Sequence, residues 1–307
     1  MINLYKTRHL TFKVLFFFCG PPMNSELETF VYDLVWKLRR AGIESPRLEA
    51  RMMVAHVLGI DCRSLSDYEE ELDDIQKFEL ENLVAERLTH KPLDKVLGYK
   101  GFYKYRFEVS PAVLSPRPDT EVLVEAAVDY IQKNNAAAVL DLGTGSGCIL
   151  LSVLADCPGV TGVGFDKSGE ALEIAVRNAY DLGVAERVRF LQGTWYNDRL
   201  NRDLGRTFDV IVSNPPYIKS AEVDRLEPEV RDFDPRIALD GGSDGLHDYR
   251  QLSRVVPPLL NPGGALFLEV GEGQACEVIK IFEAAGLKLL QIIKDLSGTD
   301  RCIILKK

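Results

Sequence analysis

From residue 137 onward, short apolar segments that read as β-strands alternate with helical stretches. Strands separated by helices form βαβ units, in which the strands run parallel in one sheet. The pattern therefore predicts the α/β class, with a Rossmann-like, mostly parallel sheet. Seven strands are predicted, at 137–141, 160–166, 188–192, 208–213, 264–270, 287–293 and 302–306.

A glycine-rich turn follows the first of these strands. It precedes a helix and reads Asp141-Leu142-Gly143-Thr144-Gly145-Ser146-Gly147. Glycines at such a turn let the backbone bend tightly and approach a ligand. Asp166 ends the next strand, 25 residues after Asp141, where its carboxylate can accept both ribose hydroxyls of an adenosine. A surface carboxylate at a strand end is the alternative for Asp166, and the spacing G-x-G-x-G disfavours a dinucleotide.

A second motif directly follows the predicted strand 208–213 and reads Asn214-Pro215-Pro216-Tyr217. In an open α/β sheet, ligands bind beyond the carboxyl ends of the strands, so the tetrapeptide and the glycine turn are expected to face one ligand. The two prolines fix φ and thereby hold the Asn214 side chain and the backbone carbonyls rigidly. A proline-stiffened loop without chemistry is the alternative interpretation.

This rigid set of acceptors suits a planar nitrogen, whose lone pair is delocalised and therefore a poor nucleophile. If the Asn214 side-chain oxygen and the Pro215 backbone oxygen accept its two N–H groups, the lone pair points at a sulfonium methyl group. The same oxygens stabilise the positive charge that develops on the nitrogen. Tyr217 would add a cation–π contact of about 0.5–2 kcal/mol. The motif predicts methyl transfer to an amide- or amine-type nitrogen, with no side chain needed as a base.

Helical periodicity dominates residues 25–90 and predicts a small helical domain. The first helix is predicted to end at Gly42, and the second to begin at Ser45-Pro46 and end at Gly59. Residues 96–113 then change to short strand-like segments that predict a hairpin. The predicted division of the chain is an extension at 1–22, a helical docking domain at 23–92, a β-hairpin linker at 93–118 and a catalytic domain at 119–307.

The predicted extension is basic and free of acidic residues, and it contains the apolar run 14–18. That run is too short to span a membrane and lacks the pattern of a secretory signal. An upstream extension before Met23 is the favoured interpretation, and an organellar presequence is the alternative. The net charge of −9 disfavours a partner held mainly through phosphates. The dispersed cysteines and histidines predict no metal site and indicate reduced thiols in a cytosolic protein.

Taken in order, several motifs resemble those of the release-factor glutamine methyltransferases, the HemK/PrmC family. The resemblance extends from about residue 25 to the C-terminus. It rests on Leu114–Glu121, Asp141–Cys148, Asn214–Tyr217, Asp234–Arg236 with Ala238 and Leu239, Gly241 and Gly242 with Asp244–Leu246, and Lys294–Leu296 with Gly298 and Arg301.

This resemblance implies a class I methyltransferase that uses S-adenosylmethionine. The acceptor it implies is nitrogen N5 of the glutamine in the Gly-Gly-Gln loop of class-1 peptide chain release factors. Trp195 would flank the adenine, and Asn214 would also touch the cofactor, which is otherwise held by Gly143, Thr144, Gly145, Ser146, Gly147 and Asp166. The glutamine amide would bind to Asn214, Pro215, Pro216 and Tyr217, of which Asn214, Pro215 and Tyr217 take the catalytic role. We expect a cytoplasmic monomer without direct nucleic-acid or membrane binding.

Three residues depart from the family pattern. Thr194 stands where Asp usually precedes the tryptophan, so a hydroxyl or a backbone carbonyl would have to replace the carboxylate contact to the adenine amino group. Ser115 and Asp119 replace an apolar residue and Glu.

Three other functions stay open. They are methylation of a ribosomal-protein glutamine, methylation of adenine N6 or guanine N2 in nucleic acid, and a non-catalytic scaffold. The long loop 218–249 is expected to cover the substrate.

Overall fold

The computed structural model describes residues 25–196 and 200–307, so the predicted extension 1–22 lies outside the described residues. The chain divides into two compact units, the first ending at Leu97 and the second beginning at Gly98. No helix among the described residues has the length and apolar character that crossing a membrane requires.

The first unit is helical. Its longer helices are α1 (Ser25–Arg40), α2 (Pro46–Val57) and α3 (Asp74–Arg87), followed by the single turn α4 (Leu93–Leu97). The apolar positions of α1 recur at helical spacing, and five of them are buried: Leu27, Val31, Leu34, Val35 and Leu38. Gly42 and Gly59 follow α1 and α2 with φ of 81° and 65°, a left-handed conformation that favours glycine at the end of a helix.

The second unit opens with a hairpin and continues as alternating strands and helices. The hairpin strands are β1 (Tyr99–Phe102) and β2 (Tyr105–Glu108). The sheet strands are β3 (Ala138–Leu142), β4 (Thr161–Asp166), β5 (Val188–Gln192), β6 (Phe208–Ser213), β7 (Leu260–Glu269), β8 (Lys288–Lys294) and β9 (Asp300–Lys306). The helices are α5 (Glu121–Asn134), α6 (Cys148–Asp156), α7 (Gly169–Asp181), α8 (Leu200–Leu204), α9 (Ser220–Val223), α10 (Pro228–Arg231), α11 (His247–Leu259) and α12 (Ala275–Ala284).

The seven strands form one sheet in the order β5-β4-β3-β6-β7-β9-β8. All pairs are parallel except those of β9 with β7 and with β8. The predicted fold, a mostly parallel seven-stranded sheet, is therefore confirmed. One apolar cluster contains Leu140, Ile211 and Leu266, and another contains Val139, Val210 and Phe267, so these three strands are buried on both faces.

The centre of the sheet is where the chain reverses its direction of winding. β3 pairs with β4 on one side and with β6 on the other, so the carboxyl ends of β3 and β6 are neighbours. Leu142 and Ser213 are partners in the register, and the Ser213 hydroxyl donates to the Leu142 carbonyl oxygen over 2.6 Å. This topological switch point is the position at which doubly wound sheets bind ligands.

Candidate active site

The glycine turn leaves the carboxyl end of β3. Gly143, Gly145 and Gly147 have φ values of 80°, 55° and 81°, which explains why glycine stands at each. A Cβ at Gly143 would lie 3.3 Å from the Trp195 ring, so this turn also needs glycine for a close approach. The Gly143 N–H donates to the Phe165 carbonyl oxygen on the next strand over 2.8 Å.

Asp141, the acidic residue of this motif, is fully buried at the end of β3. Its Oδ2 accepts a hydrogen bond of 2.7 Å from the Thr144 hydroxyl. Burial raises the pKa of Asp141 to about 7, although the bond from Thr144 opposes that rise. Asp141 therefore stabilises the glycine turn through its hydrogen bond with Thr144.

Asp166 ends β4 beside the turn. Its Oδ2 accepts from the Gly145 N–H and its Oδ1 from the Ser168 N–H, each over 2.9 Å. A carboxylate oxygen has more than one acceptor direction, so each oxygen keeps capacity for a further donor. This leaves the carboxylate able to bind a pair of neighbouring hydroxyls, which is the chemistry of a ribose.

Trp195 is oriented by a carboxylate that the sequence did not indicate. Asp248, at the start of α11, is buried, and its Oδ1 accepts from Trp195 Nε1 over 2.9 Å and from the Tyr196 hydroxyl over 2.6 Å. Burial and the neighbouring Asp248 raise the pKa of Tyr196 above its ordinary value. The two aromatic residues are thus held at the cavity by one side chain.

The tetrapeptide Asn214–Tyr217 leaves the carboxyl end of β6. Asn214 Nδ2 donates to the Thr120 hydroxyl oxygen over 3.4 Å. Within the described residues, no group donates a hydrogen bond to Asn214 Oδ1 or to the Pro215 carbonyl oxygen. The Tyr217 hydroxyl donates to Glu269 Oε1 over 3.2 Å. Burial and the nearby Glu269 raise the pKa of Tyr217 above its ordinary value.

The glycine turn and the tetrapeptide border one cavity of about 440 Å³, a volume that suits a nucleoside-sized ligand. Eight of the predicted residues line it: Gly143, Thr144, Gly145, Ser146, Asp166, Trp195, Asn214 and Pro216. Gly147, Pro215 and Tyr217 are not among its lining residues. Gly147 instead precedes α6, where an added Cβ would lie 2.8 Å from the Leu151 side chain.

The predicted loop 218–249 contains the short helices α9 and α10 and ends in the first turn of α11. Part of this segment forms another wall of the cavity, through Pro235–Ala238 and Asp240. Asp234 connects the loop to the segment before α5. Its carboxylate accepts from Arg117 Nη2 over 2.6 Å and from the Ser115 N–H over 3.2 Å. Whether the loop also covers a substrate stays a prediction.

Two family models match the chain. The one described as the PrmC N-terminal domain matches residues 35–98, and the one described as the methyltransferase small domain matches residues 114–227. The first match falls almost wholly in the helical unit, and the second contains both motifs.

Curated relatives match over most of the chain. A protein of Rhodospirillum rubrum named release factor glutamine methyltransferase is 44% identical over 294 residues, which cover 94% of this chain and 89% of the relative. Proteins of the same name are 41% identical in Caulobacter vibrioides, with 87% and 92% covered, and in Geobacter sulfurreducens, with 87% and 91% covered.

Solved structures show similarity in fold alone, because sequence identity is low. A methyltransferase from Pyrococcus furiosus is 19% identical with a TM-score of 0.50, covering 74% of this chain and 98% of that one. The catalytic domain of hMettl16, in complex with the MAT2A 3'UTR hairpin 6, is 12% identical with a TM-score of 0.52, covering 76% of this chain and 82% of that one.

Proposed function

This chain belongs to the release factor glutamine methyltransferase family, and we propose on that premise that its acceptor is the glutamine of the Gly-Gly-Gln loop in a class-1 peptide chain release factor. The chain is an S-adenosylmethionine-dependent methyltransferase, and the nitrogen that it methylates is the side-chain amide N5 of that glutamine. The observation that carries the proposal is the rigid tetrapeptide beside the glycine turn, with two acceptor oxygens on adjacent residues.

The residues around the cavity fit S-adenosylmethionine. Gly143 leaves room beside the Trp195 ring that a Cβ would fill, and the buried Ser115 hydroxyl in the cavity wall makes no hydrogen bond within the described chain. When bound, the cofactor supplies an electrophilic methyl group on a sulfonium. We assign the ribose to Asp166, the adenine face to Trp195, and the remaining contacts to Gly143–Ser146 and Asn214, while Gly147 allows the close approach of the turn to α6.

The chain's own contribution to the chemistry is to hold the acceptor nitrogen. Asn214 Oδ1 and the Pro215 carbonyl oxygen would accept its two N–H groups, which orients the lone pair and stabilises the developing charge. Pro216 keeps Pro215 in its extended conformation. Tyr217 is assigned to the substrate face, and its bond to Glu269 fixes the position of its ring.

The helical unit, most of which is matched by the PrmC N-terminal domain model, is proposed to dock the release factor. A monomeric state, the absence of direct nucleic-acid binding and a cytoplasmic location stay predictions. We further propose that residues 1–22 are an upstream extension, followed by a helical domain 23–92, a linker 93–118 and a catalytic domain 119–307.

The test is a methyl-transfer assay with labelled S-adenosylmethionine. Purified release factor, its Gly-Gly-Ala variant, a ribosomal protein fraction and duplex DNA are offered separately. We expect label on the release factor alone, and its loss with the Asn214→Ala enzyme. Equal labelling of the Gly-Gly-Ala variant, or preferential labelling of DNA or ribosomal protein, would identify another acceptor and refute the proposal.

A further inference from the structure

Glu269 is a buried carboxylate that neither sequence motif contains. It is the last residue of β7, the strand that pairs with β6, so it lies at the same edge of the sheet as the tetrapeptide. Its exposed fraction is 1%, and its backbone carbonyl oxygen accepts from the Tyr249 hydroxyl over 2.9 Å. A carboxylate in such a place is costly unless its oxygens are satisfied.

The two carboxylate oxygens of Glu269 bind the hydroxyl of Tyr217 in the tetrapeptide and that of Thr120, a cavity-lining residue directly before α5. Oε2 accepts from the Thr120 hydroxyl over 2.6 Å, and Oε1 accepts from the Tyr217 hydroxyl over 3.2 Å. Burial raises the pKa of Glu269, and the bond from Thr120, the charge of Arg301 and the bond from Tyr217 oppose that rise. The single proton of each hydroxyl is therefore committed to Glu269.

The bond from Thr120 to Glu269 determines whether the Thr120 hydroxyl donates to Asn214 or accepts from it. A hydroxyl has one proton to donate, so Thr120 can only accept on its other side. Asn214 Nδ2 is the group that donates to it, over 3.4 Å. An amide has one donor end and one acceptor end, so turning Nδ2 toward Thr120 turns Oδ1 away from it.

We propose that Glu269 is a positioning residue that acts through Thr120 to keep the acceptor oxygen of Asn214, and not its donor nitrogen, facing the substrate. The inference rests on the proposed function, because it concerns how Asn214 receives the acceptor amide. In the opposite orientation Asn214 Nδ2 would face the N–H groups of the substrate amide. Two donors cannot form a hydrogen bond, so the lone pair of the substrate nitrogen would no longer be aligned with the methyl group. Glu269 itself touches no reacting atom.

Glu269→Gln tests the inference because it changes only hydrogen-bonding capacity and charge. The glutamine amide can accept from one hydroxyl but presents N–H groups to the other. If those N–H groups face Thr120, the Thr120 hydroxyl accepts from the glutamine and donates its own proton to Asn214. The Asn214 amide must then turn its oxygen toward Thr120 and its nitrogen toward the substrate. We expect kcat to fall about 10- to 100-fold, as for loss of a hydrogen bond to a charged group, with KM for S-adenosylmethionine within about twofold.

A pair of threonine variants separates positioning from packing. Thr120→Ser keeps the hydroxyl and is expected to keep kcat within about threefold, whereas Thr120→Val keeps the shape and is expected to match Glu269→Gln. The double variant Glu269→Gln with Thr120→Val should lose no more than either single variant, because both break one chain of contacts. If Glu269→Gln does not fold, the threonine pair decides the question.

Asp209→Asn is the matched control, since it makes the same carboxylate-to-amide change near the start of β6, at the end of that strand away from the tetrapeptide. Asp209 accepts from the Ala137 and Ala138 N–H groups over 2.9 and 3.0 Å, and we expect its variant to keep kcat.

Unchanged kcat in both Glu269→Gln and Thr120→Val, equal losses in the two Thr120 variants, or a change in KM alone would overturn the inference. Failure of the wild-type enzyme to label release factor refutes the proposed function instead. The same variants are then compared on the acceptor that the wild-type enzyme does label.

Discussion

Gly241 lies against the backbone of the tetrapeptide, so Gly241→Ala tests how sensitive the reaction is to its position. A Cβ built on Gly241 lies 2.7 Å from the Pro216 carbonyl oxygen and 2.7 Å from Tyr217 Cα. Ordinary contacts begin at 3.4 Å, so the tetrapeptide or the loop must move by about 0.7 Å. Both contacts are with backbone atoms, which cannot rotate away as a flexible side chain can.

A displacement of this size falls on the residues assigned to the acceptor amide. A misplacement of about 1 Å can cost about 100-fold in rate, so we expect kcat to fall at least about tenfold. Overpacking should also lower the free energy of unfolding by about 1–3 kcal/mol. KM for S-adenosylmethionine should change less than kcat, because most of the assigned cofactor contacts lie on the glycine turn, which follows a different strand.

The assay is steady-state methyl transfer to release factor, together with the midpoint of thermal unfolding. Gly159→Ala is the matched control: a Cβ there meets no atom within 4 Å, and its φ lies outside the left-handed region. A folded Gly241→Ala enzyme with wild-type kcat would refute the reasoning that the tetrapeptide must be held to within a fraction of an ångström.

Two further predictions follow from buried carboxylates. Between its ordinary pKa of 3.8 and its raised pKa of about 7, folded Asp141 holds a proton that the unfolded chain has lost, so the free energy of unfolding should fall as pH rises through that window. Asp141→Asn should flatten that slope in urea unfolding at several pH values, and an unchanged slope would contradict it. Asp248→Ala removes the acceptor of Trp195 and Tyr196 and should weaken cofactor binding about fivefold in calorimetric titration, with kcat at saturation unchanged. Equal affinity would show that Trp195 needs no such support.

Much of the fold was predictable because buried parallel strands are long apolar runs with clear boundaries. Each of the seven predicted strands is present with its ends within a few residues, except that β7 begins at Leu260 and not at 264. The residues Asn261-Pro262-Gly263-Gly264 have the composition of a turn. They nevertheless belong to the strand, whose pairing with β6 is irregular between Phe208 and Val210.

The candidate site was predictable where its residues are contiguous in sequence. Asn214–Tyr217 and Gly143–Gly147 form motifs, whereas Thr120, Asp248 and Glu269 come together only through the fold. One signal did exist for Glu269, since an acidic residue ends an otherwise apolar strand in Leu266-Phe267-Leu268-Glu269. Sequence alone does not give the strand order, and the order is what places that strand beside the tetrapeptide.

The register of β3 and β6 has a consequence for redesign. Leu142 and Ser213 are paired, so the segment assigned to the methyl donor and the segment assigned to the acceptor begin from neighbouring strands about 4.8 Å apart. On these assignments, the distance between the methyl donor and the acceptor nitrogen is determined mainly by the spacing of these two strands. Exchanging the helical unit should therefore redirect the enzyme to another protein while leaving the transfer geometry intact.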